Sequence, residues 1–233
     1  MSSPSVVSEV FPESLNATDA FIRDGMSPIE LRTLTKLIRT HRPTTVLEIG
    51  MANGTSSVVI ADELSRYGGQ LTSIDPNQTL PRPVGYGSAG VEAVRKLLPN
   101  HRLIEAYDYL ALPRLLASSE KFECILIDGY HSFDLTFLDL FYADKLLTTE
   151  GLLLCHDSSS PAVYKALRWL ESNKPYTRLS PPLYTGAWSI GRKMAYRLFS
   201  PTERKIRQAE WHMLSAYRKQ STQTMPEHIL TEF

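Results

Sequence analysis

The chain has 233 residues, 25 Lys+Arg against 25 Asp+Glu, 42% hydrophobic residues and two cysteines. That length suits one large domain with a sizeable core, and the neutral total argues against a coat that neutralises bulk phosphate. Two cysteines are too few for a disulfide framework, and no run of about 18 apolar residues marks a membrane span.

Residues 1–25 read as a lead-in. Its first part, Met1–Glu13, has no basic residue and no apolar run, unlike a signal peptide, so the expected compartment is the cytoplasm. Ser27-Pro28-Ile29-Glu30 forms a capping box with proline at the first helical position. Ile29, Leu31, Leu34, Leu37 and Ile38 continue at helical spacing, and Pro43 ends the element. Short apolar runs follow at Thr45–Ile49, Gln70–Ile74, Arg102–Ala106, Phe122–Ile127 and Leu152–Cys155. Helical patterns separate them over 55–66, 89–98, 109–118 and 132–147, with another from Ser160 to about Ser172. Runs apolar on both faces, alternating with helices, predict a doubly wound, mostly parallel α/β sheet. Tyr176–Ser180 and Ala187–Gly191 are expected to form an antiparallel C-terminal strand pair. Ser200-Pro201-Thr202-Glu203 then caps a helix whose apolar face is Ile206, Ala209, Met213 and Tyr217. The expected division is a lead-in over 1–25, one domain over 26–193 and a C-terminal helical extension over 194–233. Charge is uneven along it. Residues 1–30 hold five acids against Arg23, and residues 191–220 hold eight Lys or Arg against Glu203 and Glu210. The basic segment is a solvated face, an oligomer contact or a surface for an anionic partner.

The sharpest motif is Glu48-Ile49-Gly50-Met51-Ala52-Asn53-Gly54-Thr55-Ser56, a strand running into a glycine turn that opens a helix. Gly50 and Gly54 let a ligand approach the backbone, and the helix N-terminus can hold polar groups. The third glycine of a dinucleotide fingerprint is absent, and Glu48 would repel a pyrophosphate. Asp75, at the end of the second strand, is placed to accept bonds from ribose hydroxyls. Together Glu48 and Asp75 suit a positively charged nucleoside without phosphates.

On these residues the chain resembles class I S-adenosylmethionine (SAM)-dependent methyltransferases. Glu48-x-Gly50-x-x-x-Gly54 is similar to their first motif, and Asp75 to their ribose-binding acid. The resemblance implies a Rossmann-like fold and a cofactor site of Glu48, Gly50, Met51, Asn53, Gly54, Ser56, Asp75 and Asp128. Tyr107 would stack on the adenine and Asp108 bond its amino group. Apart from the resemblance, the glycines of Pro81–Gly90 read as a lid at the pocket mouth, with a phosphate cradle as the alternative.

Asp128 follows the fourth strand and Asp157 the fifth. Adjacent parallel strands, about 4.8 Å apart, would bring both carboxylates to the ligand-binding edge, where Mg²⁺ could bridge them. Asp128-Gly129-Tyr130-His131, Asp139 and Asp157 resemble the macrocin and cephalosporin-hydroxylase-like O-methyltransferases. That resemblance implies His131 as general base and, in metal-using members, Mg²⁺ at Asp128 and Asp157. His156 stands where a second acid is common, the weakest of the expected ligands. His156 as a hydrogen-bonding structural residue, His131 as a helix cap or surface residue and Asp139 as a packing acid are the plainer readings. Cys124 and Cys155 are expected in the core. The resemblance implies methyl transfer from SAM to a hydroxyl of a sugar or natural product, with a nitrogen acceptor also open. An NAD-dependent oxidoreductase and a non-catalytic SAM-binding module are the competing classes. A homo-oligomer through the C-terminal extension is the expected assembly.

Overall fold

The computed structural model describes residues 25–179 and 213–221. Helix α1 spans Pro28–His41. Its capping box forms as expected, with the backbone N–H and hydroxyl of Ser27 both donating to Glu30 Oε2 at 2.8 and 2.7 Å. Strand β1 (Thr45–Ile49), helix α2 (Thr55–Ser65), strand β2 (Gln70–Ile74) and helix α3 (Ala89–Leu97) come next. They are followed by strand β3 (Arg102–Ile104), helix α4 (Asp108–Ala117), strand β4 (Phe122–Ile127) and helix α5 (Phe133–Leu146). Strand β5 (Leu147–Cys155), helix α6 (Pro161–Asn173) and strands β6 (Tyr176–Arg178) and β7 (Ser215–Lys219) complete the described chain.

The seven strands form one sheet in the order β3-β2-β1-β4-β5-β7-β6. The first five are mutually parallel, and β7 runs antiparallel to both β5 and β6. Alternate strand residues enter opposite cores. Val46, Leu126 and Leu154 pack with Leu34, Val58 and Val94 on one face. On the other, Leu47, Ile125 and Leu153 pack with Leu112, Leu140 and Leu167. Each fully buried Leu, Ile or Val contributes about 1.5–3 kcal/mol, which is why these runs carry no polar face. Cys124 and Cys155 are buried free thiols in these cores.

The structure corrects the C-terminal expectation. The antiparallel pair exists, but Tyr176–Arg178 pairs with Ser215–Lys219, while 187–191 lies outside the described residues. Met213 and Tyr217 were expected on one helix face. A spacing of four also suits a strand, where every second residue shares a face, and residues 215–219 take that alternative. Tyr217 is fully buried and donates its hydroxyl to Glu171 Oε1 at 2.9 Å. Lys219 Nζ donates to the carbonyls of Asp144 and Leu147. Part of the expected helical extension is thus an internal strand of the main sheet. The lead-in and the start of the 200–217 helix lie outside the described residues. No helix among the described residues is long and apolar enough to cross a membrane.

Candidate functional site

The carboxyl ends of β1, β2, β4 and β5 border a cavity of about 500 Å³, the size of a pocket for a small ligand. At its floor, Gly50 has φ +89°, and a Cβ there would lie 2.2 Å from the Asp128 carbonyl oxygen. Only glycine fits. Asp75 braces the turn: its Oδ2 accepts the N–H groups of Met51 and Ala52 at 3.1 and 2.9 Å, and its Oδ1 accepts Asn77 N–H at 3.0 Å. It still borders the cavity beside Gly50 and Ala52.

Glu48 does not face the cavity. It is fully buried, and its carboxylate accepts hydroxyl bonds from Ser56 at 2.6 Å, Ser57 at 2.6 Å and Ser73 at 2.8 Å. Burial pushes its pKa up to about 7 against the pull of the three serines. The period-two alternation of β1 sends Glu48 under the turn, where it ties β1 to α2 and β2. Met51, Asn53, Gly54 and Ser56 are likewise absent from the cavity wall. Met51 packs in the core, and Asn53 Oδ1 accepts a bond from Arg82 Nη2 at 2.8 Å. Gly54, with φ +83°, caps α2. These residues shape the turn rather than line the pocket.

The acids after β4 and β5 sit differently from the expectation. The register pairs Ile127 with Cys155, so the residue beside Asp128 is His156. His156 Nδ1 lies 2.8 Å from Asp128 Oδ1, and its Nε2 faces Glu30 Oε1 at 3.4 Å. His131 Nε2 lies 3.1 Å from Asp157 Oδ2 and 3.6 Å from Asp128 Oδ1. Two imidazoles therefore interleave with the carboxylates. Burial opposes a charged His156, but Asp128 and then Glu30 outweigh it and hold its pKa well above the ordinary value. Burial would raise Asp128, yet His156 and His131 hold it below the usual carboxylate range. Asp128, and Asp157 after it, raise His131, which burial and His156 partly offset.

Glu30 is the residue that sequence reasoning assigned only to a cap. It is 2% exposed and borders the cavity. Besides Ser27 it accepts the Met213 N–H at 2.5 Å, so it joins α1, the start of β7 and His156. An acid buried at a helix start, close to a glycine-turn motif in sequence, was the available signal.

Tyr107 and Asp108 border the cavity, and Tyr107 stacks on Tyr109 with ring centroids 5.2 Å apart. Asp139 is fully buried, and its pKa is driven well up by burial and by the nearby Asp108 carboxylate. It is a packed acid behind Asp108, outside the cavity wall. From the 81–90 loop only Tyr86 reaches the cavity.

Glu30, Asp75, Asp108, Asp128 and Asp157 border the cavity, and no Lys or Arg does so among the described residues. That field suits a cationic ligand and disfavours a pyrophosphate. Residues 47–158 match the model of a family described as a methyltransferase domain. Over that stretch the chain is similar to methyltransferases. No curated protein matches the sequence. Two solved structures share the fold of this chain. The O-methyltransferase from Bacillus cereus in complex with SAH is 15% identical with a TM-score of 0.62, over 94% of this chain and 93% of that one. The O-methyltransferase TomG from Streptomyces achromogenes, involved in tomaymycin synthesis and solved with SAM, is 13% identical with a TM-score of 0.63, over 90% and 93%.

The cavity fits SAM. Gly50 leaves room at the floor, Asp75 stands at the end of β2, Tyr107 offers a ring face, and the acidic wall matches a sulfonium. The donor set does not fit Mg²⁺. Asp128, His131 and His156 lie close enough to share an ion, but Mg²⁺ takes oxygen ligands and two of these three groups are imidazoles.

Proposed function

We propose that this protein is a SAM-dependent methyltransferase that acts on a hydroxyl group of a small molecule, a sugar or natural product, with His131 as the general base. The observation that carries the reading is His131 itself. Its side chain is 42% exposed, it borders the cavity, and two carboxylates face its Nε2. SAM, when bound, supplies an electrophilic methyl group. Asp75 would hold the ribose hydroxyls, and Tyr107 with Asp108 the adenine. An acceptor hydroxyl beside Tyr130 and His131 would lose its proton to His131 Nε2 as its oxygen bonds to the methyl carbon and the methyl–sulfur bond breaks, the electron pair staying on sulfur as the neutral thioether. Asp128 and Asp157 steady the imidazolium that results. Positioning of the acceptor contributes the rest of the acceleration. The O-methyltransferase fold neighbours support an oxygen acceptor over a nitrogen one.

The test is calorimetry with S-adenosylhomocysteine and with NAD, followed by a screen of small hydroxyl compounds for SAM-dependent methylation. The homocysteine product binds, NAD does not, and His131→Ala retains that binding while losing methylation. Binding of NAD without binding of the homocysteine product overturns the reading.

A further inference from the structure

We infer that this site is built to work without a divalent cation, because His156, clamped between Asp128 and Glu30, supplies the positive charge that the acids after β4 and β5 require. The inference rests on the reading of His131 as the base.

Carboxylates crowded at one sheet edge need a cation or a proton between them. The register of β4 and β5 puts an imidazole at that place instead of a second acid. Both of its nitrogens face carboxylate oxygens, Asp128 Oδ1 at 2.8 Å and Glu30 Oε1 at 3.4 Å. An imidazole meets two carboxylates favourably only with a proton on each nitrogen. The ring is 8% exposed, at the cavity wall, so little water competes for it. Glu30 is itself fixed, by both Ser27 donors and by the Met213 N–H. The charge is thus part of the fold.

A bound ion would have to take the same atoms. Ligation at His156 Nδ1 displaces the proton shared with Asp128. Ligation at His131 Nε2 uses the lone pair that must receive the acceptor's proton. Mg²⁺ gains little from either nitrogen. A softer divalent ion is the strongest competitor for both imidazoles, and it is the occupant that the experiment must exclude.

The experiment uses the full chain, dialysed against EDTA and saturated with S-adenosylhomocysteine. Mn²⁺ is titrated by electron paramagnetic resonance, Zn²⁺ and Mg²⁺ by calorimetry. The ring nitrogens of His156 are observed by long-range ¹H–¹⁵N NMR at neutral pH. The expected result is no stoichiometric binding of any of the three ions up to millimolar concentration, and imidazolium shifts at both His156 nitrogens. His156→Asp restores an acid beside Asp128 and is expected to gain Mn²⁺ binding. Stoichiometric Mn²⁺ or Zn²⁺ binding to the unaltered chain, or a neutral His156 ring, overturns the inference. The unaltered chain decides the matter even where the variant does not fold. Binding of the homocysteine product is read in the same samples, so failure of the SAM reading is seen separately.

Discussion

His131 Nε2 lies 3.1 Å from Asp157 Oδ2, and this contact couples the residue after β5 to the proposed base after β4. The neutral imidazole is the reactive form, so turnover rises with pH through the His131 pKa. Asp128 and Asp157 raise that pKa. Asp157→Asn removes one negative charge and is expected to move the rising limb of the kcat/KM profile to lower pH. His131→Ala should remove the limb and cut turnover by about 10²–10⁴-fold, with binding of S-adenosylhomocysteine unchanged. A profile that stays in place in Asp157→Asn would show that the contact does not tune the base.

Gly50→Ala is expected to abolish ligand binding and lower stability by several kcal/mol, on the order of a severe core clash plus a left-handed backbone penalty. The cause is the contact at 2.2 Å with the Asp128 carbonyl, which is backbone and has nowhere to go. Calorimetry with the homocysteine product and urea denaturation measure the two effects.

Glu48 makes stability pH-dependent without touching the ligand. Its folded pKa of about 7 exceeds the ordinary 4.5. A raised carboxyl contributes stability that is full below the ordinary value and lost as pH rises through the folded value. Glu48→Gln removes this titration, and the three serine hydroxyls can turn to suit the amide. The unaltered chain should lose stability on the order of 3 kcal/mol between about pH 4.5 and pH 8, and the variant should be flatter. Urea midpoints across that range check it.

Glu30 and His156 depend on each other. Glu30 has a lowered pKa, so its contribution is present above 4.5 and is lost as pH falls through its folded value. His156 is raised, so its contribution is full below 6.5 and is lost as pH rises through its folded value. The pair therefore stabilises most between 4.5 and 6.5. Glu30→Ala strands the Ser27 and Met213 donors together with a buried imidazolium. It should cost about 3–5 kcal/mol within that window, against a total of about 5–15 kcal/mol for a domain. Differential scanning calorimetry at several pH values would show the loss shrinking outside it.

The parallel core was legible because Val46, Leu47, Ile125, Leu126, Leu153 and Leu154 must all be apolar to enter two cores. Ser27 and Glu30 announced α1 through a local hydrogen-bond pattern. Asp75, Asp128 and His131 were legible as cavity residues because strand ends fix where they emerge. Glu48 was misread because its partners, Ser56, Ser57 and Ser73, come together only once β2 pairs with β1. The neighbour of Asp128 depended on the register of β4 against β5, which composition does not encode. The Met213–Tyr217 interval fits two periods, and the choice between them was made by the open edge of β5.

That edge has a consequence for synthesis. Leu153 pairs with Tyr217, so β5 waits for a strand encoded well after it. Until Lys219 has left the ribosome, the nascent polypeptide displays an apolar strand with unpaired peptide groups, open to pairing with neighbouring chains. The rate of translation from residue 156 to residue 219 then sets how long that exposure lasts, and the sheet closes only afterwards.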